Sequence, residues 1–246
     1  MEIDYLQLIS GINIPVPEVG FTLRQPTIKD IAVLGEQKYF LALQLFDFDL
    51  PKTNATKWQI FTTLLNQKIV GVSNIRELLT NFLNLFFIDR LNIGPSSLLL
   101  VRDTGVLSIE PEHFELVQNA ICKVGGKMLL GSNEPQYKPT NKKAAEIAEK
   151  LKRGAAKRAK ASGGDGENGF LERYIRAIVC GTSNSLEDTL NMTLFQANAV
   201  LQTMIAKEEY DLRIRAKLAG AKDDEKLIHW TAKNIFKTPE PNIGVI

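Results

Sequence analysis

Apolar residues recur at helical spacing through most of the chain, whereas strand-like alternation is confined to a few short stretches. Helical spacing predicts one or two helices in each of 28–45 and 194–219, and single helices over 55–67, 74–90, 170–179 and 227–235. Alternation predicts a strand over Phe21–Pro26 and a β-hairpin around the glycine-containing turn at Arg102–Gly105. We therefore expect a mainly α fold with an N-terminal α+β segment, in which helices pack on a small strand layer.

Polar residues mark where several of these helices should begin. Thr27 is followed three residues later by Asp30, a near relative of the capping box. Ser185 lies just before a first turn that carries acidic side chains, and Thr193 comes just before the next apolar stretch. Pro111 is suited to the first turn of a further helix, because proline needs no hydrogen-bond partner there.

Composition divides the chain into three parts. Residues 138–168 hold no aromatic side chain and end in a Gly/Ser/Asp-rich tail, so they bury too little apolar surface to offset the entropy of ordering. Alanine, lysine and glutamate still favour a helix over 141–161. We expect an N-terminal α+β domain at 1–137, a basic linker helix with a flexible hinge at 138–168, and a C-terminal all-α domain at 169–246.

Composition and charge narrow the class of protein. The 246 residues are 44% hydrophobic and carry a formal net charge of +2, enough for a core and too neutral for a dedicated nucleic-acid binder. The N-terminus lacks the basic region of a signal peptide, and the apolar stretch Leu78–Ile88 is too short for a bilayer. We expect a soluble protein in which this stretch is a core helix. Cys122 and Cys180 lie in apolar runs and are expected to be buried.

Residues that carry chemistry are sparse. The two histidines, His113 and His229, lie in different predicted domains, without a nucleophile patterned beside them. No HxxxH, CxxC or phosphate-binding glycine motif occurs, and the acidic run Asp223–Glu225 is typical of a helix N-terminus. We therefore expect neither an enzyme nor a bound metal or cofactor.

Two features suggest binding to other macromolecules. The predicted helix 141–161 has eight Lys or Arg and two Glu residues, about +6 locally, and this pattern leaves open a solvated linker, an acidic protein partner or non-specific nucleic-acid binding. The second feature is an apolar stripe that consists of Met192, Leu194, Phe195, Val200, Leu201, Met204 and Ile205. Part of the stripe must form the core of its own segment, and the rest is available to a partner or to self-association.

A longer string around this stripe resembles a known family. Residues 184–230 are similar to the C-terminal part of tail assembly chaperones from long-tailed phages of Gram-positive hosts, and Pro15–Phe40 is similar to the opening of such proteins. The matching residues are Asn191, Met192, Thr193, Leu194, Phe195 and Gln196, then Tyr210, Asp211, Leu212, Ala216, Leu218, Ala219, Gly220, Ala221, Lys222, Asp223 and Trp230. The chain departs from the family pattern at Ala197–Asn198, where a bulkier pair is common.

The resemblance implies a function without catalysis. Such chaperones bind the tape measure protein, keep it soluble, recruit tail tube subunits in the cytoplasm of the infected host, and are absent from the mature virion. Tyr210, Leu218 and Trp230 then join the stripe residues other than Ile205 as the candidate partner-binding positions. Two alternatives stay open: a structural tail or baseplate component of the virion, and a non-specific nucleic-acid-associated protein that uses residues 141–161.

Overall fold

A computed structural model of the chain describes residues 3–48, 55–67, 74–127, 169–220 and 227–232. Helices make up 60% of these residues and strands 14%, which confirms the prediction of a mainly α fold. The predicted linker and hinge at 138–168 lie outside the described residues. The division into domains at 1–137 and 169–246 stays a prediction.

The first part of the chain holds short helices and two small antiparallel sheets. The helices are α1 (Tyr5–Ser10), α2 (Ile28–Leu34), α3 (Glu36–Phe46), α4 (Lys57–Leu65), α5 (Ile75–Asn84) and α6 (Phe114–Val124), the last preceded by a 3-10 turn at Pro111–His113. The strands are β1 (Ile14–Val16), β2 (Phe21–Leu23), β3 (Arg90–Ile93), β4 (Leu98–Arg102) and β5 (Gly105–Ile109). Strands β1 and β2 form one pair, and β3, β4 and β5 form a three-stranded sheet in that order.

The predicted hairpin is confirmed as β4 and β5, in the register that places Arg102 opposite Gly105. The predicted strand at Phe21–Pro26 is confirmed over its first three residues only. The sequence prediction did not include β3, which pairs with β4 from Arg90 to Ile93. It also left open one or two helices in 28–45, and the structure has two, because the chain breaks at Gly35 with a φ of 95°.

The helix predicted over 74–90 ends earlier than expected. Helix α5 stops at Asn84, so the prediction that 78–88 forms one core helix is wrong beyond that residue. The chain turns there because Phe87 pairs with β2 through a bridge to Leu23, and the Phe86 carbonyl accepts from the Arg24 N–H at 2.7 Å. Both phenylalanines stay buried, so the apolar pattern is satisfied by a turn instead of by further helix.

Aromatic side chains from four helices form the centre of the main core. The rings of Phe61 and Phe114 are 4.8 Å apart between centroids, and Phe46 contacts both at 5.8 Å. Tyr39 packs edge-on against Phe82 at 5.3 Å, while its hydroxyl donates to the Gly125 carbonyl at 2.9 Å. Burial raises the pKa of Tyr39 well above its usual value. The ring contacts join α3, α4, α5 and α6 around one centre.

The second part of the chain is helical where the structure describes it. It contains α7 (Phe170–Gly181), α8 (Leu186–Leu190), α9 (Leu194–Leu218) and a 3-10 turn at Trp230–Ala232. The predicted start at Thr193 is confirmed, and the stretch after Tyr210 extends the same helix, which reaches 25 residues. Of the helix predicted over 227–235, the described residues 227–232 form only the 3-10 turn.

The two cysteines differ in burial. Cys122 lies in α6 and is buried, as predicted. The prediction that Cys180 is buried is wrong, because this residue is exposed near the end of α7. Ile178 of the same helix is fully buried, and two residues further along a helix the side chain points to nearly the opposite side.

Candidate partner-binding surface

Helix α9 begins beside α2, and a threonine caps the start of each of these two helices. The Thr193 hydroxyl accepts from the Gln196 N–H at 3.2 Å, and the Gln196 side chain accepts from the Thr193 N–H at 2.9 Å. Thr27 forms a capping box of the same kind with Asp30. Thr27 and Thr193 pair as an antiparallel bridge, and the Ile28 N–H donates to the Met192 carbonyl at 2.8 Å. The two helix starts are therefore joined through their backbones.

The first turn of α9 is part of the main core. Leu194 and Phe195 are 4% and 3% exposed and belong to the same buried cluster as the aromatic centre of α3 to α6. Gln196 packs against Gly11 at the end of α1, where an added Cβ would lie 2.7 Å from the Gln196 amide nitrogen. Leu194 and Phe195, two of the candidate partner-binding residues, face the chain's own first part.

A second, smaller cluster holds the same helix from another side. Ile28 of α2, Ile178 of α7 and Ala197 of α9 are fully buried together. Met192 and Val200, both candidate partner-binding residues, are half-buried against this cluster. Helix α9 is thus packed on α2 and α7 along its first two turns, and these two candidates contribute to that packing.

A carboxylate from the first part of the chain caps α7. The Leu171 N–H donates to the Glu36 side chain at 3.1 Å, although Glu36 itself begins α3. No side chain of the preceding residue caps this helix, so Glu36 takes that role from 135 positions away. Sequence reasoning missed this contact, because nothing in the local pattern marks a cap that comes from another element.

The middle of α9 is only partly covered. Leu201 and Met204 are half-buried, and Ala206 is the last buried residue of the helix. Gly181, at the end of α7, lies so close to Met204 that a larger residue there would displace the methionine side chain. Helix α7 ends at Gly181, which also borders a pocket lined by Lys207 and Leu212 of α9.

From Lys207 to Leu218, which we call the distal half of α9, no residue is buried among those that the structure describes. Leu212 is 58% exposed, Leu218 is 83% exposed, and Ile205 just before this half is 49% exposed. Ile205 and Leu212 are seven positions apart and therefore lie on one stripe of the helix, while Leu218 lies near the helix end on a different side, roughly 120° around the axis from Leu212. We call these three exposed residues together the distal apolar surface.

Charged residues of both signs surround the distal apolar surface. The distal half carries three acidic and four basic side chains: Glu208, Glu209, Asp211, Lys207, Arg213, Arg215 and Lys217. Glu209 and Arg213 form an ion pair at 3.8 Å one turn apart. Such a mixed surface has no single-sign field for a phosphate backbone, so its apolar residues are its distinguishing feature.

The remaining two candidates lie close to the distal half. Tyr210 of α9 is half-buried, and its ring packs edge-on against His229 at 4.9 Å between centroids. His229 also contacts Trp230 at 5.5 Å, and Trp230 is half-buried. Ile228 beside them is 54% exposed. The 3-10 turn thus adds aromatic surface next to α9.

The nine candidate residues therefore fall into two groups. Leu194, Phe195, Met192 and Val200 hold α9 to the rest of the chain, and Leu201 and Met204 lie at the margin of that contact. Tyr210, Leu218 and Trp230 lie where α9 is open. The sequence prediction did not include Leu212 among the candidates, although its spacing of seven from Ile205 is a signal that would have found it.

The described residues show no arrangement typical of catalysis or metal binding. The His113 ring nitrogen is 3.9 Å from the neighbouring Glu112 carboxylate, and the His229 Nδ1 lies 2.7 Å from the Thr231 hydroxyl. Within the part of the chain that the structure describes, no group of three His, Cys, Asp or Glu side chains could hold a metal ion. In that same part, every helix is too short or too polar to cross a membrane.

An apolar groove lies between α3 and α4, away from α9. It has a volume of about 410 Å³ and is lined mainly by Leu45, Phe48, Ile60 and Leu64, with glutamine and threonine side chains around them. Apolar grooves of this size suit a side chain or a short helical segment. The groove is a second place at which a partner could dock.

Comparison with known protein families, with curated proteins and with solved structures finds no match for this chain.

Proposed function

We propose that this chain is a phage tail assembly chaperone, a non-enzymatic protein of the infected host's cytoplasm that binds the tape measure protein and keeps it soluble. It would also recruit tail tube subunits and leave before the virion is complete. The proposal rests on the sequence resemblance over 184–230 and on one structural observation. That observation is the contrast between the packed first half of α9 and its open distal half.

The contrast supports the proposal because the first half of α9 anchors the helix in the core, whereas the distal half offers a surface to a partner. Leu194 and Phe195 fix the start of α9 in the main core, so the helix direction is set by the rest of the chain. The distal half then leaves Leu212 and Leu218 mostly exposed among the described residues. A helix that is fixed at one end and presents exposed apolar side chains at the other can pack against a second amphipathic helix. Long helical proteins such as tape measure proteins offer such partners.

The size of the distal apolar surface suits reversible binding. Fully burying one leucine or isoleucine side chain is worth about 1.5–3 kcal/mol, so Ile205, Leu212 and Leu218 supply at most roughly 9 kcal/mol before association costs. The net affinity of one chain is therefore modest. A chaperone that polymerising tube subunits must displace needs this property, and many copies along one tape measure protein would compensate through multivalency.

The proposal keeps the three-part organisation expected from the sequence. A domain at 1–137 would carry α9 through the contacts described above, and a basic linker at 138–168 would connect it to the C-terminal domain at 169–246. In this scheme the tail tube protein meets a surface that the tape measure protein leaves free. The groove between α3 and α4 is one such surface.

Co-expression with the tape measure protein of the same phage tests the proposal. The wild-type chain should keep that protein in the soluble fraction and co-purify with it. The triple variant Ile205→Ser, Leu212→Ser, Leu218→Ser should lose both effects, because it removes the apolar side chains and leaves the core untouched. The matched control is Leu6→Ser, Val33→Ser, Ile88→Ser, which changes three residues of 63% exposure or more on other elements and should behave as wild type.

Three results would contradict the proposal or the binding surface that it assigns. Failure of the wild-type chain to keep the tape measure protein soluble would remove the chaperone function. Abundant chain in purified virions, measured by mass spectrometry, would favour the alternative of a structural tail or baseplate component. Equal loss of binding in the control variant would move the binding surface away from α9.

A further inference from the structure

The two edges of the three-stranded sheet differ in their free hydrogen-bonding groups. In an antiparallel ladder, consecutive residues of a strand point their backbone groups to opposite sides. The tight turn at Asp103–Thr104 makes Arg102 and Gly105 a bonded pair, so Val106 and Ser108 point their N–H and carbonyl groups away from β4. On β3, by the same alternation, Leu91 and Ile93 point outward.

The chain itself closes the β3 edge. The Leu91 N–H donates to the Asn84 side chain at 2.7 Å, and the Asn84 amide donates back to the Leu91 carbonyl at 3.1 Å. The Ile93 carbonyl accepts from the Arg76 guanidinium at 3.2 Å. Side chains of α5 and of the residue that ends it thus take the place of a further strand, a common way to block a sheet edge.

The β5 edge has no such cover from the described residues. No described group bonds to the outward N–H or carbonyl of Val106 or Ser108. The strand carries no proline and no ionisable side chain, which are the usual obstacles to pairing. Val106 is 63% exposed on the outer face, and Leu107 packs against the main core from the core face without being fully buried. A neighbouring strand would cover the remaining exposed part of Leu107.

We propose that β5 pairs antiparallel with β5 of a second copy of this chain, in a register centred on Leu107. In that register Val106 lies opposite Ser108 of the second copy, and the reverse pair follows from the two-fold axis. Both are residues whose backbone groups point outward, so the two pairs together form four main-chain hydrogen bonds. The two three-stranded sheets become one six-stranded sheet.

The register selects a second copy as the occupant. Leu107 meets Leu107 of the second copy on the core face, so each side chain covers the exposed part of the other. On the outer face, Val106 continues the row of Val101, which is 41% exposed. The strand contributes no charge, and the flanking Glu110 lies opposite Thr104 of the second copy, so no like charges face each other across the strands. A single strand pair buries less than a standard interface, and the dimer is therefore weak and concentration-dependent.

Light scattering after size exclusion, or sedimentation, over ~5 to ~500 µM measures the assembly. The full-length chain should pass from monomer to dimer over this range. Val106→Pro removes an outward N–H without breaking a bonded pair between β4 and β5, and should shift the transition at least tenfold upward. Val106→Thr keeps the N–H and the branched shape and should dimerise as wild type does.

A cross-link reports the register even if the proline variant folds poorly. In a Cys180→Ser background, Leu107→Cys places two thiols opposite each other in a non-bonded pair, where Cβ atoms are ~4.5–5.5 Å apart and a disulfide can form. Val106→Cys is the matched control, because position 106 faces 108 and not itself. Under mild oxidation, the Leu107→Cys chain should give a covalent dimer at least tenfold faster than the control.

A chain that stays monomeric over the whole range overturns the inference, as does a dimer whose midpoint Val106→Pro does not change. Equal cross-linking of Leu107→Cys and Val106→Cys overturns the register. These measurements use the chain alone, so their outcome is independent of the function proposed above.

Discussion

Thr27 and Thr193 cap two different helices and pair with each other as an antiparallel β-bridge, although they are 166 positions apart in the chain. Each side chain accepts from the third helical N–H of its own helix, and the backbone of each threonine stays extended, so that the neighbouring Ile28 N–H can donate to the Met192 carbonyl across the bridge. The same extended conformation thus serves the cap and the bridge. As a result, the direction in which α9 leaves the core is fixed relative to α2.

Phe195→Ala should destabilise the first part of the chain, although Phe195 belongs to a helix near the other end of the sequence. The ring is 3% exposed within the main core, and removing a buried phenylalanine side chain costs about 3–5 kcal/mol. Trp58, at 7% exposure in the same core, reports the unfolding of α4 by its fluorescence. A Trp230→Phe background removes the second tryptophan signal.

The control for this experiment lies on the same helix. Leu218→Ala changes a side chain that is 83% exposed, and the free energy of unfolding in urea should move by less than about 0.5 kcal/mol. If Phe195→Ala left the Trp58 transition where it is in the wild type, Phe195 would not belong to the main core.

Thr193→Val should lower stability by about 1 kcal/mol, because it removes the hydroxyl that accepts the Gln196 N–H and keeps the side-chain shape. The matched control is Thr203→Val in the same helix. The Thr203 hydroxyl only donates to the Ala199 carbonyl, which already accepts a helical hydrogen bond, so its loss should cost little. Urea titration followed by circular dichroism measures both. Equal losses for the two variants would show that the cap does not stabilise the start of α9.

Local chemistry explains which parts of this fold the sequence made predictable. Thr193 was recognisable as a helix start because its hydroxyl and the glutamine three residues later act within one turn. The hairpin of β4 and β5 was recognisable because two apolar runs flank a tight turn. In each case the interacting groups are neighbours in the sequence, so a short window contains all of the relevant physics.

Contacts between distant residues explain the failures. The end of α5 at Asn84 depends on the pairing of Phe87 with Leu23, more than 60 residues earlier. The apolar residues keep their helical spacing beyond Asn84, so the local sequence gives no signal for the end of the helix. Similarly, the apolar stripe of α9 predicted that some residues are buried and others free. It did not show that Leu194 and Phe195 face the distant core while Leu212 is open, because periodicity defines a face but not its partner.

Cutting the chain between α6 and α7 should leave two fragments that stay together. We would insert a site-specific protease sequence between Gly163 and Gly164, within the hinge expected from the sequence. Leu194 and Phe195 in the main core, together with the cap from Glu36 to Leu171, should hold the pieces as one complex at ~10 µM. Size exclusion after cleavage measures this.

A double variant provides the negative control for the association of the two fragments. Leu194→Asp with Phe195→Asp places two carboxylates in the core and should separate the fragments after the same cut. Separate elution of the wild-type fragments would mean that α9 is not held by the first part of the chain, and the support that the proposed function requires would be absent.

The two cysteines should react at very different rates, because their environments differ. Burial, with a further contribution from Asp47, raises the pKa of the Cys122 thiol to about 12, whereas Cys180 is exposed. A colorimetric disulfide reagent at pH 8 should therefore label one thiol at once and the second only after unfolding. Cys180→Ser should abolish the fast phase and leave the slow one. A fast phase that persisted in this variant would place Cys122 at the surface.

The same raised pKa predicts a loss of stability at alkaline pH. The folded state favours the neutral Cys122 thiol, so its contribution is fully present below the unfolded pKa near 9.0 and is lost as the pH rises toward about 12. Urea titrations at pH 8, 10 and 11 should show a falling free energy of unfolding. Cys122→Ala should be less stable than wild type at pH 8, because it leaves a small cavity, yet should lose less stability between pH 8 and pH 11. Identical pH slopes for the two proteins would mean that the buried thiol does not titrate in the way that its surroundings imply.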